Sequence, residues 1–319
     1  MTDHNALITL EAIHAARRRI APYIEPTPIV AMTPSGLRLK AESLHPIGAF
    51  KLRGAFNAIL SLDADQRTAG IVAHSSGNHA QAVAFAAARL GVRAVVVMPS
   101  DAPAIKIEGV RRSAAELVLV GPTSAERAER AAALAVEHGL TPIPPFDADT
   151  VMAGTGTIGL EILEQAPDAQ TVFAPVSGGG LLAGLATAIK LSRPDVRVIG
   201  VEPELAADAF ESFRAGHIVS FTAEQVSRTL ADGLRVQKLG ARTWPHIRAY
   251  VDEIVTVSEE AMKAAMRKIA GEARLIAEPS GAVAIAGALA HSTDNAHSVA
   301  VLSGGNVDPA LYAAILAET

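Results

Sequence analysis

Gly70-Ile71-Val72-Ala73-His74 runs directly into Ser75-Ser76-Gly77-Asn78-His79-Ala80-Gln81 and then into the alanine-rich stretch Ala82 to Leu90. Together these residues read as a strand, a tight turn and a helix. A short apolar run bounded by turn residues suits a buried strand, and the longer run that follows suits a helix packed on it. The turn leaves helix N-terminal N–H groups and the positive end of the helix dipole facing outward, a site for an anion such as an amino-acid carboxylate. An Asn or Ser N-cap is the plain structural alternative for the same residues.

The same alternation continues outward from this unit. Strand-like Arg93 to Met98, helical Pro103 to Ser113, strand-like Glu116 to Val120 and helical Ser124 to His138 follow in order. A second series holds strand-like Thr171 to Val176, Arg197 to Val201, Glu253 to Val257 and Ser298 to Leu302. Repeated strand–helix alternation predicts βαβ units and parallel sheets. Two series predict two lobes, each with a mostly parallel sheet flanked by helices, and an active site in the cleft between them.

Three further segments carry chemistry. In Phe50-Lys51-Leu52-Arg53-Gly54-Ala55 a lysine heads a short apolar helix beside a phenylalanine. Partial desolvation there lowers an amine's pKa toward a reactive neutral form, although lysines at helix starts are common on surfaces. Pro175-Val176-Ser177-Gly178-Gly179-Gly180-Leu181-Leu182-Ala183-Gly184 leads into a helix through Ile189, and its glycines let several N–H groups approach one phosphate. No Gly-Lys-Ser/Thr ends this loop, so it is not a nucleotide triphosphate loop. Leu302-Ser303-Gly304-Gly305-Asn306 puts a serine hydroxyl at the end of a strand.

In this order the four segments resemble the fold-type-II pyridoxal-phosphate enzymes, and within them the threonine/serine dehydratase and serine racemase group. The resemblance covers nearly the whole chain and implies the tryptophan synthase beta-like architecture. It implies Lys51 as the Schiff-base lysine with Phe50 beside it, Asn78 at the cofactor's ring hydroxyl, and Ser177, Gly178, Gly179, Gly180 and Leu181 as the phosphate loop. Ser303 falls at the pyridine nitrogen. Ser75, Ser76, Asn78 and His79 match the loop that holds the substrate carboxylate, and Ser76 also matches the acid/base that racemases use on the opposite cofactor face. In Gly200-Val201-Glu202-Pro203-Glu204-Leu205-Ala206-Ala207-Asp208, Glu202, the carbonyl of Ala206 and Asp208 match a divalent-cation site. These are hard oxygen donors suited to Mg²⁺, Ca²⁺ or Mn²⁺. A solvated acidic loop after a strand is the alternative.

Two departures bear on the assignment. The family often has Thr-Gly-Ser before the Phe-Lys pair, whereas this chain has Ile47-Gly48-Ala49 and so loses two hydroxyls near the lysine. The phosphate loop has Ser177 where four glycines are frequent, a change that keeps the donor geometry provided Ser177 needs no positive φ. From the resemblance, the large domain is expected at residues 1–52 and 145–319 and the small one at 53–144. The chain closes at Thr319 without a counterpart of the regulatory domain of biosynthetic threonine dehydratases, so feedback control by isoleucine is not expected.

The implied activity is dehydration of L-threonine, L-serine or a related β-hydroxy amino acid such as 3-hydroxyaspartate to a 2-oxo acid and ammonia. Racemisation of serine or aspartate is the alternative, and a non-catalytic cofactor-binding protein a remote third. A homo-oligomer, dimer or tetramer, is expected by the same resemblance.

Composition agrees with that class. The chain has 319 residues, 50% of them hydrophobic, enough for a substantial core without staples. It has no cysteine, which excludes disulfides, thiolate metal sites and cysteine nucleophiles and fits a reducing cytoplasm. A net charge of −5 with interspersed signs argues against a nucleic-acid surface. Met1-Thr2-Asp3-His4-Asn5 lacks a secretory signal's pattern, and the uncharged span Ala169 to Ile189 is broken by Pro175 and three glycines, so no membrane span is expected. Gly154-Thr155-Gly156-Thr157-Ile158-Gly159 matches a dinucleotide-binding pattern but follows no convincing strand. Glu278-Pro279-Ser280-Gly281-Ala282 starts a helix. The resemblance sets it near the cofactor ring, and a loop and cap is its plain alternative.

Overall fold

The computed structural model describes residues 6–102 and 104–318. Strands β1 (Ile29–Ala31), β2 (Arg38–Ala41), β7 (Thr171–Pro175), β8 (Arg197–Pro203), β9 (Glu253–Val257) and β10 (Ser298–Leu302) form a six-stranded sheet. Its order is β1-β2-β10-β7-β8-β9, parallel throughout except for the antiparallel pair of β1 with β2. Strands β3 (Ile71–His74), β4 (Ala94–Pro99), β5 (Glu116–Val120) and β6 (Thr141–Pro142) form an all-parallel sheet in the order β5-β4-β3-β6. The two expected parallel sheets are therefore present. The β1/β2 hairpin is additional: β1 is only three residues long and β2 carries Arg38 and Lys40, so neither shows a sustained hydrophobic pattern. Pro103, the expected start of one helix, lies outside the described residues, and that helix runs over Ala104–Arg111.

Alternation along the strands of the larger sheet explains why both faces are covered. Val172, Val198, Val299 and Val301 pack into one apolar cluster with Leu182 and Leu185 of the helix Gly180–Ser192. Phe173, Ile199, Val201, Ala300 and Leu302 pack into another with Val283 and Ile285 of the helix Pro279–His291. A parallel sheet buried on both faces is the arrangement that βαβ connections produce. On the smaller sheet, Ile71 and Ala73 meet Leu52, Phe56, Ala82 and Val83, while Val72, Val95 and Val97 meet Ala131 and Leu134.

The dinucleotide-like glycine pattern lies inside the helix Asp149–Gln165. A Cβ on Gly154 would sit 2.6 Å from the carbonyl oxygen of Arg53, one on Gly156 3.0 Å from that of Gly184, and one on Gly159 2.9 Å from that of Leu185. These glycines allow three helices to approach backbone to backbone, and the pattern marks helix packing. The span Ala169 to Ile189 resolves into β7, the glycine loop and most of the helix Gly180–Ser192. No helix among the described residues is long and apolar enough to cross a membrane.

A buried ionic cluster joins β2 to these helices. Arg53, 1% exposed, donates from Nε and Nη2 to the two carboxylate oxygens of Glu42 at 2.7 and 2.8 Å. It also donates from Nη1 and Nη2 to those of Glu161 at 2.6 and 2.8 Å. Lys40, fully buried, donates to Glu161 and to the carbonyl of Thr27. Burial alone raises a carboxyl's pKa, but Arg53 and His45 reverse this at Glu42 and hold it well below the usual range. Bidentate geometry at both carboxylates lets the attraction offset the desolvation of the charges.

Arg53→Met should therefore lower the unfolding free energy by about 3–5 kcal/mol, because two buried carboxylates lose their partner. Removing the exposed Arg93–Glu116 pair should change it far less, because water screens both charges. Urea unfolding of the two variants checks the contrast.

Candidate active site

A cavity of about 990 Å³ opens between the two sheets. It collects Phe50, Lys51, Ser75, Ser76, Asn78, His79, the whole of Ser177 to Leu181, and Ser303. All the residues predicted for cofactor and substrate therefore meet in one place. The predicted metal residues Glu202, Ala206 and Asp208 lie outside this lining.

Lys51 is the first residue of the helix Lys51–Leu60. Its Nζ donates to the carbonyl of Pro145 at 2.7 Å and lies 5.1 Å from the ring centre of Phe50. Burial lowers its pKa to about 8. With no carboxylate partner to stabilise the ammonium form, the neutral amine is accessible near physiological pH.

Backbone contacts lock this lysine to the serine motif far along the chain. Phe50 N–H donates to the carbonyl of Ser303 at 3.0 Å, Gly305 N–H to that of Gly48 at 2.9 Å, and Ala49 forms a bridge with Gly304. The altered Ile47-Gly48-Ala49 segment thus keeps a structural task without its hydroxyls. Ser303 is 5% exposed and its hydroxyl donates weakly to the carbonyl of Ser280 at 3.4 Å.

The turn after β3 does not act as a side-chain cap. Gly77 is the N-cap of the helix Asn78–Leu90 and provides no side-chain hydrogen bond, while Ser75 Oγ accepts from Gly77 N–H at 3.1 Å. Asn78 reaches across the cavity instead. Its Nδ2 donates to Glu278 and its Oδ1 accepts from Asn306 Nδ2 at 2.8 Å. His79 is buried with Nε2 against the carbonyl of Ile143 at 2.9 Å, and burial together with Lys51 pushes its pKa down to about 3. It is neutral in the working range, so at this turn an anion is met by N–H and O–H dipoles rather than by an imidazolium, with the Lys106 ammonium nearby.

The glycine loop ends at the N-terminus of Gly180–Ser192, which carries no side-chain cap. Gly179 has φ 91°, and a Cβ there would sit 2.7 Å from Thr243 Oγ1. A Cβ on Gly178 would come 2.6 Å from the ring of Phe146. Phe146 and Thr243 thus form the back of the cradle. Thr243 Oγ1 donates to the carbonyl of Gly178 at 2.8 Å, and Asp147 accepts from the N–H groups of Ala241, Arg242 and Thr243. Ser177 departs from the expectation, with φ 56° in the left-handed region. The strain of a non-glycine residue there is about 1–2 kcal/mol, and a bond from Ser177 Oγ to the carbonyl of Gly233 at 3.2 Å accompanies it.

The acidic pair Glu202 and Asp208 is not a solvated loop. Each is 1% exposed. Glu202 Oε2 accepts from Phe210 N–H at 2.9 Å, but Glu202 Oε1 and both oxygens of Asp208 have no hydrogen-bond partner. Burial, and then the charge of Asp208, pushes the Glu202 carboxyl well up, and burial brings Asp208 to about 7. Sequence reasoning missed Phe146, Asp147, Lys106 and Asp232 in the site, because each is an ordinary loop or helix residue until the chain folds.

A family model described as pyridoxal-phosphate dependent enzyme matches residues 20–304. The serine racemase of Arabidopsis thaliana is 41% identical, with 93% of this chain and 92% of that protein covered. The L-threo-3-hydroxyaspartate ammonia-lyase of Saccharomyces cerevisiae is 38% identical over 94% of each. Among solved structures, a maize serine racemase superposes with a TM-score of 0.92 at 36% identity, covering 97% of each chain. A T.th. threonine deaminase superposes with a TM-score of 0.89 at 46% identity, covering 94% of this chain and 99% of that one.

The lysine assignment has a direct check. Because burial lowers its pKa, the fraction of neutral Lys51 grows as pH rises through about 8. The rate of imine formation at Lys51 with a small aldehyde, trapped by borohydride and read on the peptide that contains residue 51, should follow that midpoint and be absent from that peptide in Lys51→Ala; a midpoint at the ordinary lysine value of about 10.4 would contradict the buried environment.

Proposed function

Since this chain belongs to the pyridoxal-phosphate dependent enzymes of fold type II, we propose that it is an ammonia-lyase that converts L-threonine, L-serine or a related β-hydroxy amino acid to a 2-oxo acid and ammonia. The observation that carries this reading is the meeting, in one cavity, of a depressed-pKa lysine, an uncapped glycine loop, the Ser75–His79 turn and Ser303. The glycine loop suits a phosphate: its helix N-terminus is free, and a Cβ at Gly178 or Gly179 would collide with the back of the cradle. Pyridoxal phosphate, when bound, supplies the electron sink that acidifies the α-C–H of an amino acid.

In this reading Lys51 holds the cofactor and takes the α-proton at Nζ, a task suited to an amine titrating near neutrality. Ser75, Ser76, Asn78 and His79 hold the substrate carboxylate with neutral donors, and the Ser177 to Leu181 loop holds the phosphate. Ser303, a neutral hydroxyl, would face the pyridine nitrogen without stabilising its protonated form. Loss of the β-hydroxyl as water, followed by hydrolysis, then gives oxo acid and ammonia.

Racemisation is the second reading, favoured by the position of Ser76 in the cavity lining and by the relatives named serine racemase. Within the same reading, residues 53–144 form the smaller domain. The same reading makes it a cytoplasmic enzyme and a dimer or tetramer.

A divalent cation belongs to the proposal as well. Three buried carboxylate oxygens without partners on Glu202 and Asp208 fit a hard cation, completed by the Ala206 carbonyl and water. Among the described residues no cluster of three or more Asp, Glu or His side chains is arranged for a metal, so such a site would depend on that carbonyl and on solvent. Mg²⁺ or Ca²⁺ should raise the melting temperature of the wild type and leave Glu202→Gln/Asp208→Asn unaffected; an equal rise in both would place the cation elsewhere.

The deciding experiment is release of oxo acid and ammonia from L- and D-serine, threonine and 3-hydroxyaspartate, with chiral analysis of the remaining amino acid. Oxo acid from an L-substrate is the expected result, and enantiomer formation without oxo acid would make the protein a racemase. Ser76→Ala should abolish interconversion of enantiomers while elimination from the L-form survives.

A further inference from the structure

One carboxyl group in the cavity has no task in the reading above. Glu278 precedes the helix Pro279–His291 and is 2% exposed. Its backbone N–H is tied to the carbonyl of Gly304 at 3.1 Å, yet its side chain does not cap the helix. Oε1 accepts from Asn78 Nδ2, and Oε2 has no hydrogen-bond partner. Nearby, Lys106 of the helix Ala104–Arg111 is 4% exposed, ion-paired with Asp232, and 3.9 Å from Glu278 Oε2.

The direction of these contacts is informative. Asn78 follows β3 and Lys106 follows β4, so both come from elements of the four-stranded sheet. Glu278, Asp232 and Asn306 belong to the six-stranded side. Of the two carboxylates that meet Lys106, the Asp232 side chain is 35% exposed and therefore screened, whereas Glu278 acts in a drier, lower-dielectric setting. Lys106 also lies directly over the turn, since a Cβ on Gly77 would sit 3.4 Å from its Nζ.

We propose that Glu278 is a positioning residue: the buried anchor on the six-stranded side that draws in the substrate-carboxylate turn through Asn78 and the Ala104–Arg111 helix through Lys106, closing the cleft over the amino acid. The proposal rests on the assignment of Ser75 to His79 to the substrate carboxylate. Glu278 stays outside the covalent chemistry, and no bond forms or breaks at it.

The electrostatics agree with this role. Burial pushes the Glu278 carboxyl up to about 7 and Asp232 adds to the rise, while Lys106 and Asn78 pull the other way. Because both partners favour the charged form, the charged form in turn grips them more strongly. Lys51, His74, His79, Arg127, Asp147, Arg235 and Lys238 are the other titratable or charged groups lining the cavity. The anchor tightens as pH rises through about 7.

The test pairs amide hydrogen exchange on the cofactor-free protein with steady-state kinetics of the holoenzyme. Glu278→Ala should speed exchange by about tenfold in residues 75–81, the loss expected for a hydrogen bond to a charged group, speed it by a smaller factor in 104–111, where Lys106 keeps its ion pair with Asp232, and raise the KM for L-threonine or L-serine about tenfold. Glu278→Gln keeps an acceptor for Asn78 and loses the charge for Lys106. It should restore slow exchange in 75–81, leave 104–111 as in the alanine variant, and remove the fall in KM expected of the wild type as pH rises through about 7. Unchanged exchange in both segments, or a uniform increase over the whole chain, would overturn the anchor. If the wild type turned over neither amino acid, the proposed function would fail while the exchange pattern still decided the role of Glu278.

Discussion

The guanidinium of Arg53, gripped by Glu42 on one side and Glu161 on the other, is the interaction on which the rest of the architecture depends. It fixes the helix Lys51–Leu60 against the end of β2 and the helix Asp149–Gln165, and so fixes where the lysine two residues earlier can point. Four ionised groups are buried together, which is costly unless each lone pair and proton finds a partner. Here nearly all do, with Thr27, Thr157 and Gln165 closing the network. The arrangement sets one register for three elements, since a shifted helix would strand a charge in the core.

Around that point the packing is set by small residues. Gly154, Gly156, Gly159 and Gly184 remove side chains where helices touch, bringing backbones within van der Waals contact. A tight seam of this kind transmits position without flexible intermediaries, so the glycine loop at the head of Gly180–Ser192 and the lysine at the head of Lys51–Leu60 have fixed relative places. The backbone bonds between Gly48–Phe50 and Ser303–Gly305 close the same circle from the other side. The cavity is thus a gap between these parts, lined by the glycine loop, the Ser75–His79 turn, Lys51 and Ser303.

The fold also contrasts two treatments of buried acid groups. Glu42 and Glu161 are fully compensated by cations. Glu202, Asp208 and Glu278 keep oxygens without partners and have raised pKa values. Uncompensated carboxyls cost stability, and Glu278 has the Lys106 ammonium 3.9 Å from its unpartnered oxygen.

Much of the fold was legible from periodicity alone. β5, β9 and β10 occupy the residues expected of them, because continuous β-branched runs bounded by turns have few alternatives. The β1/β2 hairpin is not legible because β1 has only three residues and Arg38 and Lys40 interrupt the apolar pattern of β2, while the charge of Lys40 is compensated by Glu161, which lies 121 residues away in sequence. The glycine and serine motifs were equally visible, since turn residues at strand ends stand out locally. Tertiary structure alone decided that Gly154 to Gly159 serves helix packing, that Ser177 adopts a left-handed conformation, that Asn78 reaches across the cleft to Glu278, and that Glu202 and Asp208 are buried. Each of these depends on what arrives from a distant segment. A local sequence fixes backbone preference within a few residues, whereas burial and charge compensation are set by neighbours that only the folded chain supplies.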